Sequence, residues 1–234
     1  MPKESTISLA LASLDYLKKK KAPLFLTTSN RWKGSPNTPK STVLAKAFQK
    51  KLPKSTLIDI PSLNIFPCEG NVSQDGGNDC GPKSSALKDK AKNPTGNHRC
   101  WASINNNSDE LWKVSKALFA SDCVIFFGSV RWGQMNSYYQ KLIERLTWLE
   151  NRHTTLGEEN ILAGIDAGII AIGHNWNAGA VVETQKQVLK YFGFNIIPAL
   201  SWGYQFTKPD DETNDSYKKA AKEFGEILKQ VQKV

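Results

Sequence analysis

The chain has 234 residues, 40% of them hydrophobic and 23% charged, with a formal net charge of +9. That length and apolar content predict one domain with a sizeable core over residues 1–234, and no apolar run reaches the roughly 18 residues of a membrane span. The positive charge comes from scattered lysines with a single run, Lys18–Lys21, and no recognition-helix or base-stacking motif accompanies it, so a solvated basic surface is favoured over nucleic-acid binding.

Ile7, Ala10, Leu11, Leu14 and Leu17 recur at helical spacing ahead of that lysine run, which predicts an amphipathic helical extension over 1–21 rather than a leader peptide. A first apolar run at Leu24–Thr28 reads as a strand, followed by a polar turn and a helix over 42–51. Leu57–Ile60 reads as the second strand. Residues 61–106 interrupt the rhythm with Gly, Asn, Pro, Ser and Lys and are read as an insertion. Order resumes with a helical stripe at Leu111, Trp112, Ser115, Leu118 and Phe119, and then a strand at Cys123–Phe127. Tyr138, Tyr139, Leu142, Ile143, Leu146 and Leu149 form one apolar helical face over Met135–Glu150. A fourth strand follows at Ala167–Ile172, with Ile161–Ile165 as its possible beginning. The last elements are a helix over Ala180–Phe192, a fifth strand at Asn195–Leu200 and a closing helix over Tyr217–Val231.

Strands alternating with helices predict an α/β fold, a doubly wound five-stranded parallel sheet with helices on both faces. Ligands of such sheets bind beyond the carboxyl strand ends, which directs attention to three loops. The first, 28–42, is crowded with hydroxyls and opens a helix, an arrangement suited to a phosphate monoester; Arg31 and Lys40 add charge. It contains neither the Walker pattern nor the dinucleotide fingerprint, and a simple polar turn with a helix cap is the plainer alternative. The second, 128–136, offers Gly128, Gly133 and the flat surface of Trp132, which suit a planar ligand, although Trp132 could equally cover the sheet edge. The third, 173–179, carries His174, which could contact a ring or be an ordinary loop histidine.

These segments resemble the NAD(P)H-dependent FMN reductase and quinone reductase branch of the flavodoxin-like superfamily, over about Leu24 to Leu200. The resemblance rests on Ser29-Asn30-Arg31 with Ser41-Thr42, and on Val130-Arg131-Trp132-Gly133 leading into Gln140-Lys141-Leu142-Ile143-Glu144-Arg145. It implies that Ser29, Arg31, Ser41 and Thr42, with Ser35 and Lys40 as further candidates, hold an FMN phosphate. It implies that Val130, Arg131, Trp132 and Gly133 line the flavin ring and that Gly173 and Asn175 border its far side, with Ser129, Gln134 and His174 as further cofactor-binding candidates. Ser129 stands where the family usually has Pro and Arg131 where it has Tyr, and the stretch between Arg31 and Ser41 is longer than usual. A guanidinium at position 131, near the pyrimidine side of the ring, would stabilise the anionic reduced flavin and raise its potential; gripping a nicotinamide nucleotide phosphate is its rival role.

Some relatives carry a compact cysteine cluster where His98-Arg99-Cys100-Trp101 stands here, but that spacing is absent. Cys68, Cys80, His98 and Cys100 have residue types suited to zinc in spacings that match no short motif, so no metal is predicted. Cys123 reads as core, and four widely spaced cysteines without an export signal suit free thiols in a reducing cytoplasm.

The resemblance thus implies an FMN-dependent oxidoreductase that moves hydride from NAD(P)H to flavin and on to a quinone, free flavin or other small acceptor, as a homodimer. The rivals are a flavodoxin-like electron carrier serving protein partners, and a non-catalytic module that has lost its flavin. A basic chain with a large insertion over the site favours the reductase over the carrier.

Overall fold

The computed structural model describes residues 3–32, 34–173, 176–208 and 210–234. Its central sheet runs β2 (Thr56–Asp59), β1 (Pro23–Thr27), β3 (Cys123–Arg131), β5 (Asp166–Gly173), with β6 (Asn195–Ile196) and then β7 (Trp202–Gln205) following one another along the free edge of β5. All these pairings are parallel; only the two-residue β4 (Gln134–Met135) folds back antiparallel onto the tip of β3.

A parallel sheet covered on both faces needs strands apolar at every position, and the pleat then divides their side chains between two cores. Phe25, Ile125, Phe127, Ile170 and Ile172 face α2 (Lys40–Lys51), α7 (Asn214–Lys233) and the N-terminal α1 (Lys3–Leu17). Leu24, Leu26, Val124, Phe126, Ile169 and Ala171 face α4 (Leu111–Phe119), α5 (Ser137–Thr154) and α6 (Ala178–Tyr191). Because β1 leads to α2 on one face and β3 leads to α5 on the other, the chain switches direction between these neighbouring strands and leaves a crevice at their carboxyl ends.

The predicted N-terminal helix is present and buries Ala10, Leu14 and Leu17 completely. It is fastened at the far sheet edge by Ser13, which donates to the Ala199 carbonyl at 2.6 Å and accepts from Trp202 Nε1 at 2.9 Å. Tyr16 donates to Asp166 at 2.7 Å, and Lys20 pairs with the same carboxylate.

Three expectations need correction. Residues Ile161–Ile165 form a turn, closed by Ile165 N donating to the Leu162 carbonyl, rather than the start of β5. The fifth strand is not continuous over Asn195–Leu200. After two residues a 3-10 turn over Pro198–Leu200 interrupts it, and pairing resumes as β7. Pro198 has no N–H to give to a ladder, and Gly168 accommodates the displaced chain, since a Cβ there would lie 2.3 Å from the Leu200 carbonyl oxygen. Finally, of residues 61–106 only Pro61 and Ser62, directly after β2, line a cavity at the carboxyl edge.

That insertion packs instead against α4 and α5, and its chief anchor is a fully buried ion pair. Arg145, on α5, reaches Asp109 with bonds of 2.8 and 3.0 Å and donates to the Phe66 carbonyl at 2.6 Å. Asp109 in turn accepts from the Phe66 amide, the Ser103 hydroxyl on the short α3 (Trp101–Asn105) and the Leu111 amide that opens α4. Burial alone would raise the Asp109 carboxyl, but the hydrogen bonds from Arg145 and Ser103 outweigh it and hold the group below the usual range. A second clamp joins Arg99 to Glu158 at 2.6 Å and Glu158 to Arg152 at 2.9 Å.

Candidate functional site

The loop after β1 (28–39) ends at α2, whose first turn has no side-chain cap: Pro39 occupies the N-cap position. The opening amides of α2 therefore remain available to an anion, with the positive end of the helix dipole behind them. Ser41 in that turn donates to Ser29 Oγ at 2.7 Å, so two buried hydroxyls are linked at the mouth of the helix.

The loop after β3 is tied to this cradle by Asn136. Its amide donates to Thr28 Oγ1 at 3.0 Å while its carbonyl oxygen caps α5 by accepting from Tyr139 N at 3.2 Å. Between them β3 overruns the predicted Cys123–Phe127 by four residues and turns back through Trp132 and Gly133, both at positive φ (50° and 71°). Two such central residues make the tight turn that matches strand twist, and the bulky Trp132 sits there against its conformational preference. The loop after β5 meets the hairpin tip: Asn177 donates to the Gly133 carbonyl at 2.9 Å, and the Trp176 ring lies so close that a Cβ on Gly133 would approach it to 2.8 Å.

Together these loops enclose a cavity of about 310 Å³. Of the residues singled out from the sequence, Ser29, Arg31, Lys40, Ser41, Ser129, Val130, Arg131 and Gly173 line it. Trp132, Gly133 and Gln134 do not; the turn carries them past the cavity, and Trp132 is 92% exposed. Ser35 and Thr42 face a neighbouring cavity on the other side of the first loop. His174 and Asn175 lie outside the described residues.

Sequence reasoning missed Phe206 and Tyr217, which also line the cavity. Phe206 N donates to the Gly173 carbonyl at 3.2 Å, directly beyond β7. The period-two alternation of Trp202, Tyr204 and Phe206 was the available signal for that strand. Tyr217 comes from the first turn of α7, and its hydroxyl donates to Glu212 at 3.0 Å; no local pattern ties it to the other loops.

His98 lies elsewhere, in the insertion, where its Nδ1 meets Ser115 Oγ at 2.8 Å and its ring packs edge-on to Trp148. Burial lowers its pKa to about 4. Cys68, Cys80, Cys100 and Cys123 are free thiols, and among the described residues no group of three or more His, Cys, Asp or Glu side chains is arranged to hold a metal.

No protein-family model matches the sequence, and no curated protein does. Solved structures match the fold. RosB, crystallised with the bound intermediate 8-demethyl-8-formylriboflavin-5'-phosphate, superposes with a TM-score of 0.54 at 13% identity, covering 91% of this chain and 81% of its own. The azoreductase AzrA superposes with a TM-score of 0.52 at 11% identity, covering 91% of this chain and 100% of its own. The chain has the flavodoxin-like fold. Flavodoxin-like sheets bind ligands at the crevice where the strand order reverses, and the cavity between Ser29, Ser129 and Gly173 occupies that position. Among the described residues no helix is long and apolar enough to cross a membrane.

Proposed function

We propose that the protein is an FMN-dependent oxidoreductase that uses NAD(P)H to reduce a small acceptor such as a quinone or free flavin. The observation that carries this reading is one cavity with an anion cradle at one end, Ser29, Arg31, Lys40 and Ser41, and a mainly apolar slot at the other, Val130, Ile172, Gly173 and Phe206.

The residues fit the cofactor. A phosphate monoester would take hydrogen bonds from the Ser29 hydroxyl, which Ser41 orients by donating to it, and from the uncapped amides of α2, while Arg31 and Lys40 offset its charge. The slot suits a planar ring, and Arg131 adds a positive charge at its wall. Bound flavin supplies the electron-transfer chemistry, so the chain's own residues bind, orient and exclude water, and none is assigned an acid, base or nucleophilic role. The likeness to RosB with its flavin phosphate, and to an azoreductase, supports the reading.

Two further parts of the proposal have separate support. The bare indole of Trp132 at the rim favours a homodimer in which a second copy covers that tip. The free thiols favour a reducing cytoplasm.

Purified protein titrated with FMN is expected to form a yellow one-to-one complex that oxidises NADPH when free FMN or a quinone is supplied. A colourless protein that takes up no FMN overturns the reading. Flavin that binds but is not reduced by NADPH or NADH returns the choice to an electron carrier.

A further inference from the structure

The flavin reading occupies one of two cavities that meet at the loop after β1. The other, about 400 Å³, shares Ser29, Asn30, Arg31 and Pro39 with the first and continues toward the end of β2. Its size falls within the range of roughly 300–1,000 Å³ common to small-molecule sites.

Four features of its lining point to one ligand class. Thr42, in the first turn of α2, is 5% exposed, yet its Oγ1 has no hydrogen-bond partner among the described residues. Buried hydroxyls are rarely left so, and this one lines the cavity beside the uncapped helix end. Arg31 and Lys46 are exposed cations at the same cavity, and neither has an acidic partner among the described residues. Asp59 is the last residue of β2 and lines the cavity; Thr27 donates to its Oδ1 at 2.6 Å, which holds the carboxylate in place and leaves Oδ2 to accept. A carboxylate on the strand next to the phosphate-binding one takes the ribose hydroxyl in dinucleotide-binding α/β sheets, and although this chain lacks their glycine fingerprint, Asp59 offers the same acceptor. Trp32, 73% exposed, offers an open aromatic face on the rim.

We infer that this second cavity binds a ribonucleotide, with its phosphate at Thr42, Arg31 and Lys46, its ribose hydroxyls on Asp59 and its base against Trp32. The inference rests on the flavin reading in one respect, the neighbour across the loop. The shared chemistry, an adenosine phosphate, has two sources: the nucleotide half of a flavin dinucleotide, or that of the NAD(P)H co-substrate.

Three probes separate these, namely FMN and FAD titrated into apoprotein by flavin fluorescence, and AMP titrated into FMN-loaded protein by calorimetry. FAD binding at least about tenfold more tightly than FMN supports the inference and assigns the nucleotide to the cofactor. AMP binding to FMN-loaded protein, with displacement by NADPH, supports it and assigns the nucleotide to the co-substrate. Asp59→Asn is expected to weaken the nucleotide contribution about tenfold and to leave FMN affinity within about twofold. Lys46→Gln, at an exposed side chain that folding does not need, is expected to weaken it about threefold. FAD no tighter than FMN together with no AMP binding overturns the inference, as does nucleotide affinity unchanged in both variants. Should FMN itself fail to bind, the flavin reading falls, while AMP titrated into apoprotein still decides this one: binding supports it and no binding overturns it.

Discussion

The anchored insertion and the carboxyl edge of the sheet are both rich in polar side chains, yet they use them in opposite ways. Beneath the insertion, Arg145 on α5 and Asp109 before α4 are wholly buried and bonded to each other and to the insertion's Phe66 and Ser103. At the edge, Arg31, Lys40 and Arg131 surround a cavity with no acidic partner among the described residues, and the α2 end stands uncapped. Desolvated charges must be paired, so the insertion spends its polar groups on architecture. Charges left beside water and a concave surface keep their capacity to bind something else, which is why function is sought at the edge rather than in the more conspicuous insertion.

The largest effect expected from breaking this contrast is on the buried side. Arg145→Ala leaves the Asp109 carboxylate buried and unpaired, which costs about 3–5 kcal/mol. In a chain of this size that lowers the melting temperature by about 6–20 °C, readable by thermal denaturation. A loss no greater than that of an ordinary surface substitution would show that the ion pair is not the anchor.

His98 gives the next effect. Its folded pKa of about 4 lies below the ordinary 6.5, so between these values the unfolded chain binds a proton that the folded chain refuses. Stability is therefore complete above pH 6.5 and falls as the pH drops through this window, by at most about 3 kcal/mol. Urea denaturation at pH 7 and pH 4.5 checks the sign. His98→Gln is expected to reduce the slope between pH 7 and about 5; below that the carboxylates held under their usual range, Glu110 and Glu158 first, begin to add their own loss as the unfolded chain takes up protons.

At the edge the sign of a substitution should reverse: stability holds while affinity falls. Arg31→Gln with Lys40→Gln is expected to weaken FMN binding about ten- to a hundredfold, the loss of one charge-assisted contact or more, with a melting temperature that barely moves. A stability loss comparable to that of Arg145→Ala would erase the distinction between the regions. The smallest expected change is at Arg131, where replacement by Leu should lower the two-electron midpoint potential of bound FMN by about 20 mV, as befits an exposed charge. An unchanged potential leaves Arg131 with the nucleotide-gripping role.

Much of this protein was readable along the chain. Apolar runs such as Leu24–Phe25–Leu26 and Val124–Ile125–Phe126 mark buried parallel strands because both faces of the sheet are covered. The hydroxyl-rich stretch from Ser29 to Thr42 pointed to a wall of the cavity because a strand, a polar turn and a helix start are all local features.

Long-range packing decided the rest. Nothing adjacent to Phe206 or Tyr217 indicates that they reach a cavity formed by Ser29 and Val130. The edge strand is divided where Pro198 cannot pair and Leu200 packs on the distant Gly168, and most of the insertion lies away from the site because Arg145 finds Asp109. Periodicity reports which face of an element is buried; which partner buries it, and whether a charge ends beside an opposite charge or beside an open cavity, is determined only when distant segments are brought together.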